Sequence, residues 1–304
     1  MTHPAREPSG RGVSLVHRWN RFWFEPIPPH PYAVLRILFG VIGCLTLLVM
    51  ADIPAFWSPD GLVESTDDPW KGSLTNLMGG TAAGGVLFGF TLLCYAAMGI
   101  GFRSRVAVPL CLLTNVVQSY WNPLPLSGAH YVTRGVLFAL IWVDTGAVWS
   151  VDARGRGAAP SAPVWPLRLL QFQVAVIYFS SGLWKLGNAE WRSGTALAQV
   201  LANNVYRRFP IALPEALTPY TVAATHLVLA WELGFPFAVL NRWTRRLALA
   251  LGILLHLGMW LALEIGPFTL VMLSTYVAFV SPERVASLNR RGRSRDAKSG
   301  ALSA

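Results

Sequence analysis

Lysine is almost missing from this chain: Lys71, Lys185 and Lys298 are set against 22 arginines. Charge of either sign is scarce at 13% of residues, while 53% are hydrophobic and mean hydropathy is +0.44, which excludes an ordinary soluble domain. Cysteine is limited to Cys44, Cys94 and Cys111, all inside apolar runs and without metal-ligand spacing. Neither a disulfide framework nor a metal site is therefore expected. The first 31 residues hold prolines and arginines but no apolar core, so a cleavable signal peptide is not expected. Period-two alternation is missing, which argues against a transmembrane barrel. No internal repeat recurs, and no linker separates two folded domains.

What the chain does have is apolar runs long enough to span a membrane, about 20 residues for a hydrocarbon core of roughly 30 Å. Eight can be read, at 32–51, 82–101, 106–121, 130–150, 166–186, 219–240, 246–263 and 265–281, the third and last being short. Between them, basic clusters (Arg103 and Arg105; Arg154, Arg156 and Arg168; Arg242, Arg245 and Arg246) alternate with neutral or acidic loops such as the one holding Asp52, Asp60, Glu64, Asp67 and Asp68. The positive-inside rule turns that alternation into both termini cytoplasmic and an even number of spans. The sequence thus predicts an all-α polytopic transmembrane helix bundle of about eight spans, multi-pass in the cell membrane. Residues 1–31 read as a cytoplasmic segment lying at the interface through Trp19, Trp23 and Phe24, residues 32–284 as the membrane domain, and residues 285–304 as a disordered basic cytoplasmic tail. The net charge of +10 lies mostly in this arginine and points to membrane lipids as partners rather than nucleic acid.

Ionisable side chains within spans are costly and usually face the bundle interior or a cavity. The candidates are Arg36, His130, Arg134, Asp144, Lys185, His226, Glu232, His256 and Glu264. On the eight-span topology most of them converge on the outer leaflet, with His130 and Lys185 level and His256 deeper. Each has a structural alternative. Arg36 can snorkel to the surface, Asp144 can cap or pair, and Glu232 can be an uncharged acid bonded to a neighbouring helix. His226 and His256 can be core histidines. Lys185, in the stretch Y-F-S-S-G-L-W-K-L-G-N-A-E-W-R-S-G-T-A-L (178–197), stands at the end of a long apolar run and is either an interfacial anchor or a base, since an ammonium, unlike a guanidinium, can lose its proton when buried. Within the extracytoplasmic segment 187–218, T-A-L-A-Q-V-L-A reads as a short amphipathic helix, either a lid or a plain connector.

Three stretches resemble a known family: H-Y-V-T-R-G-V-L-F-A-L-I-W-V-D-T-G-A-V-W-S-V-D (130–152), the 172–197 run that holds the lysine motif, and the run from His256 to Arg284. In order and spacing, over roughly residues 20–285, they are similar to the horizontally transferred transmembrane (HTTM) family, the membrane domain shared by vitamin K-dependent gamma-carboxylases and their bacterial relatives. In the carboxylases the motif's lysine deprotonates reduced vitamin K, oxygen converts the quinol to an epoxide through a basic alkoxide, and the alkoxide activates a glutamate for carbon dioxide. The resemblance implies Lys185 as base, with His130 and His256 on the quinol oxygens and Tyr131, Arg134 and Trp184 completing the site. The implied cofactor is a reduced menaquinone or vitamin K-like quinol, without metal. The sequence departs from the carboxylase pattern at Ala129, where an asparagine precedes the histidine, and at Trp184, where a second lysine precedes the first. The carboxylases' large extracytoplasmic region has no expected counterpart. The expectation is thus a membrane enzyme using a lipid-soluble quinol and oxygen at an outer-face pocket. The alternative is a non-catalytic membrane partner in maturation of, or immunity to, a secreted peptide, or a scaffold for an envelope protein. A transporter comes third, because no paired broken helices appear in matching halves.

Overall fold

The computed structural model describes residues 14–58, 80–121, 127–209 and 214–288. The expected acidic loop and the basic tail beyond residue 288 lie outside them. A short amphipathic helix, α1 (Leu15–Phe24), is capped by the Ser14 hydroxyl and buries none of its residues. A two-residue antiparallel ladder follows, β1 (Pro26–Ile27) on β2 (Ala162–Pro163). The bundle is built from α2 (His30–Val49), α3 (Ile53–Trp57), α4 (Thr81–Ile100), α5 (Ser104–Trp121), α6 (Gly128–Ile141), α7 (Trp165–Gly187), the short α8 (Ala189–Ser193) and α9 (Ala196–Ala202), α10 (Thr218–Ala238), α11 (Arg242–Ala262) and α12 (Phe268–Thr275). Packing runs from helix to helix along the chain. α2 lies on α4, α5 joins α4 to α6, α7 lies on α10, and α12 returns to fill the space between α6 and α2.

The expectation of about eight spans is overturned. Four helices among the described residues are long and apolar enough to cross a membrane: His30–Val49, Thr81–Ile100, Glu215–Ala238 (α10 with its leading 3-10 turn) and Arg242–Ala262. Apolar run length in the sequence overstated helix length or helix apolarity. The run 130–150 stops being helical at Ile141. There the Asp144 carboxylate accepts from Gly146 N at 3.1 Å, and Trp149 takes a left-handed φ of 50°. The run 265–281 divides into the eight-residue α12 and a 3-10 turn, Tyr276–Phe279. α5 and α7 are long enough, but Asn115, Gln118 and Ser119 dilute the first, and Arg168, Gln171, Gln173 and Lys185 dilute the second.

Two features explain why α2 and α4 fit so closely. Glycines face each other at the crossing: a Cβ on Gly40 would lie 2.4 Å from Gly99 Cα, and one on Gly43 would lie 2.1 Å from the Tyr95 ring. Small residues that let backbones approach are the usual device for packing helices in an apolar solvent. The second feature is Arg36, fully buried on the first turns of α2. It does not snorkel. Its guanidinium donates to the carbonyls of Met98 (2.6 Å), Gly99 (2.7 Å), Thr145 (3.0 Å) and Trp149 (2.6 Å). The same corner needs Gly101, at φ 73°, because a Cβ there would meet Ser150 Cβ at 2.3 Å and Arg36 Nη1 at 2.7 Å. Asp152 closes it by accepting the backbone N–H groups of Arg103 and Ser104, each at 2.8 Å, at the start of α5.

Arg36→Met removes four charge-assisted bonds, each worth about 1.5–3 kcal/mol. The variant is expected to be destabilised by several kcal/mol, read as a lower thermal midpoint of the purified protein in detergent. An unchanged midpoint would show that this corner is not what joins α2, α4 and the 142–152 turns.

Candidate functional site

At the end of α7 opposite Arg168, the sequence Y-F-S-S-G-L-W-K places Tyr178, Gly182 and Lys185 at i, i+4 and i+7, one stripe of the helix. Gly182 lets α10 approach: a Cβ there would sit 2.9 Å from Leu233 and 3.2 Å from Glu232 Cβ. Through that contact Lys185 Nζ forms an ion pair with Glu232 Oε1, the two side chains being 17% and 10% exposed. Ser181 Oγ donates to the same carboxylate oxygen at 3.3 Å, and the ammonium lies 4.7 Å from the Trp191 ring centroid on α8. Lys185 is neither a free anchor nor a free amine. It ties α7, α8 and α10 together.

Two turns deeper, the Tyr178 hydroxyl lies between His256 Nε2 on α11 (2.8 Å) and the Tyr276 hydroxyl (2.9 Å). Trp231 and Phe235 enclose it, each with its ring centroid 4.5 Å from that of Tyr178. Gly252 leaves room for this cluster, since a Cβ there would overlap the Tyr276 hydroxyl at 2.1 Å. The ion pair and the hydrogen-bonded triad both draw on α7, through Lys185 and Tyr178 two turns apart on one stripe of that helix. Glu232 Oε2 and His256 Nδ1 are buried without a hydrogen-bond partner among the described residues.

His130 is placed elsewhere. At the start of α6 its Nδ1 accepts from Ser127 N at 3.3 Å, and its ring lines a cavity of about 700 Å³ with Leu45 and Val49 of α2, Tyr206, Glu264 and Phe268. It also lines a second cavity of about 30 Å³, room for one water, beside Asn115 and Gln118. Lys185 lines neither cavity. Phe268 is the common neighbour of the two histidines, with its ring 5.9 Å from His256 and part of its surface in the larger cavity. Arg134 is tied back to α5, donating to Asn115 Oδ1 at 2.9 Å and to Ser119 Oγ, and stacks 5.2 Å over Tyr131. Tyr131 is 61% and Trp184 70% exposed. Of the residues the resemblance groups, then, Lys185 and His256 share one network, His130 lines a separate cavity, and Tyr131 and Trp184 face outward.

The remaining ionisable candidates pair locally. Asp144 meets Arg105 at 3.3 Å and Arg156 at 3.4 Å, as its structural reading expects. Glu264 pairs with Arg208 at 2.9 Å, where residues 206–208 hydrogen-bond to 262–264. His226 Nε2 meets the Arg192 carbonyl at 3.1 Å, and Leu197 N donates to Thr225 Oγ1 at 3.2 Å. The amphipathic helix expected in 187–218 is α9, and these bonds fasten α8 and α9 onto α10. Sequence reasoning gave Tyr178 and Tyr276 no role, although the Tyr178–Gly182–Lys185 stripe was there to be read. Tyr276 carried no such signal, since its part depends on the irregular turn after α12.

A family model for the HTTM domain matches residues 24–283. The sporulation-delaying protein SdpB of Bacillus subtilis (strain 168) is 30% identical over 121 residues, 38% of this chain and 38% of that protein. The matched stretch thus covers well under half of the curated relative's length. No solved structure matches.

Removing one member of a buried ion pair strands the other charge, at about 3–5 kcal/mol, whereas replacing both with apolar groups is often neutral or stabilising. Lys185→Ala is expected to lower the thermal midpoint sharply, and Lys185→Met with Glu232→Leu to restore it. Equal losses for the single and double variants would mean that the pair does not hold α7 to α10.

Proposed function

Because this chain belongs to the HTTM-domain family and is a multi-pass protein of the bacterial cell membrane, we propose that it acts as a non-catalytic membrane partner in maturation of, or immunity to, a secreted peptide. The observation that carries this reading is the Lys185–Glu232 pair. It spends the motif's lysine on architecture, locking α8 and α9 against α10 as a fixed platform at one end of the bundle. An ammonium engaged by a carboxylate and an indole has no lone pair with which to take a proton from a substrate. The stretch shared with a protein named for delaying sporulation supports the same direction, because that name describes an effect on a cell's developmental course.

The platform is suited to binding. Leu183, Trp184 and Leu186 on the last turns of α7, and Val205 after α9, are large apolar side chains left exposed, and the same stretch of chain carries Arg192 and Glu190. A peptide that is itself amphipathic meets both kinds of group there, with aromatic and arginine anchors of the type that dominate interface energetics.

A second reading is the quinol chemistry that the carboxylase-like motifs imply, and one observation favours it. The cavity beside His130 is large and mostly apolar, and it lies next to outward-facing Leu45 and Val49 of α2, 51% and 82% exposed, as lateral entry from a bilayer requires. Its volume is in the range of cavities that take small apolar ligands. The required base does not meet a ligand there, since Lys185 is paired on another face, and no proton-transfer step can be assigned to the two together.

One set of variants separates the readings. In cells whose protection or peptide output depends on this protein, Lys185→Met with Glu232→Leu is expected to keep the phenotype, and Trp184→Glu with Val205→Glu to abolish it while the protein still reaches the membrane. Loss of the phenotype in the apolar pair variant, together with oxygen-dependent epoxide formation from anaerobic quinol by the unaltered protein, would replace the partner reading with the enzymatic one.

A further inference from the structure

We propose that α1 lies flat in the interface of the protein's own bilayer, with its apolar side among the upper acyl carbons and its polar side toward the headgroups. At about 100° per residue, Leu15, Val16, Trp19, Phe22 and Trp23 fall on one side of the helix, and His17, Arg18, Asn20 and Arg21 on the other. Phe24, at the last position, is the one apolar side chain on the polar side. The apolar side is not packed into the bundle. Leu15 is 82%, Val16 66% and Trp19 61% exposed, and none of the ten residues is buried. The rings keep together there, Trp23 lying 5.8 Å from Trp19 and 5.0 Å from Phe22.

Two connections hold this helix at the end of the bundle. Five residues, three of them proline, separate Phe24 from His30, where a membrane-length helix begins. Fully extended they reach only about 20 Å, and the ladder to Ala162–Pro163 ties them down. Phe22 is fastened to the first turn of α7. Arg168 Nε donates to its carbonyl at 3.4 Å, and the guanidinium lies 4.6 Å over its ring. The end of a spanning helix is the depth at which acyl chains give way to headgroups, and indole rings settle at that depth.

Composition and size select a lipid surface over a second copy of the chain. α1 is about 15 Å long, too short to supply by itself the roughly 1,200 Å² that a stable protein pair buries. Aromatic and aliphatic side chains on one side with arginines on the other are the pattern of a helix lying in the interface plane. Glu25, 3.6 Å from Arg21, moderates the charge, so apolar burial is the main force holding the helix down. This inference is independent of the peptide-partner reading, which concerns the opposite end of α7.

The test places one bimane label on the full-length protein, at Leu15→Cys, Val16→Cys, His17→Cys or Asn20→Cys, in vesicles of phosphatidylcholine and phosphatidylglycerol. The unaltered protein gives the background from Cys44, Cys94 and Cys111. A nitroxide carried high on the lipid acyl chain is expected to quench the labels at 15 and 16 several-fold more than those at 17 and 20. Iodide in the water is expected to show the reverse order. Adding Trp19→Glu to Leu15→Cys is expected to abolish the lipid quenching at an unchanged thermal midpoint, since α1 buries none of its residues. Labels at 15 and 16 shielded from both quenchers would mean that protein covers this side. Equal iodide quenching at all four positions would mean that water does. Either result overturns the proposal.

Discussion

A chain that spans a membrane has no water in its interior to satisfy polar groups, so each buried carbonyl and charge must find its partner within the protein. Arg36 meets that constraint at the corner where α4 ends and the 142–152 turns pass. Those segments leave the carbonyls of Met98, Gly99, Thr145 and Trp149 pointing inward, and one planar guanidinium serves all four. The neighbouring oddities follow from it. Gly101 gives the fork room, Trp149 bends left-handed so that its carbonyl is presented, and Asp152 covers the open N–H groups of α5. Only arginine suits that place, because its donors lie in a rigid plane, while lysine offers a compact point charge.

The scarcity of lysine gains meaning from that contrast. Lys185 stands where a point charge is wanted, against one carboxylate oxygen on the adjacent helix, with an indole closing over it. The pair costs desolvation and returns it only through good geometry. Its effect is specificity of register: α10 is fixed against α7 at the level where Gly182 admits it, and α8 and α9 follow. The Tyr178–His256–Tyr276 triad continues the arrangement into α11 and the segment after α12. Lys185, Glu232, Tyr178, His256 and Tyr276 form a polar seam along α7, and a seam of this kind serves a static platform as well as a reaction.

How much of this could be read in the sequence depends on which interactions are local. Helix positions, the all-α class, the amphipathic α1 and α9 and the costly polar residues were legible, because apolar periodicity and charge placement record them directly. The number of membrane-length helices was not. Residues 142–150 hold enough apolar side chains to read as the continuation of the run from His130, and the Asp144 turn and the left-handed Trp149 show that the helix has ended. Arg36 was read as a surface-seeking side chain because its four acceptors are 62 to 113 residues away in sequence. The sequence alternative for Glu232, an uncharged acid bonded to a neighbouring helix, was right about the neighbouring helix, but the ion pair with Lys185, 47 residues distant, was not legible.

The separation of His130 from Lys185 is what weighs most on function. Motif order along a chain says that residues coexist, whereas chemistry needs them around one reacting atom, within about 3 Å of it or bridged by one water. Here Phe268 lies against His256 on one side and contributes to the His130 cavity on the other, while the lysine points toward α10. To bring base and cavity together, the Lys185–Glu232 pair would have to open and α12 would have to shift, at the cost of a stranded buried carboxylate. A binding platform demands no such rearrangement. The resting arrangement already leaves Trp184 and the neighbouring apolar turns exposed, and the ion pair holds α7, α8 and α10 together beneath them.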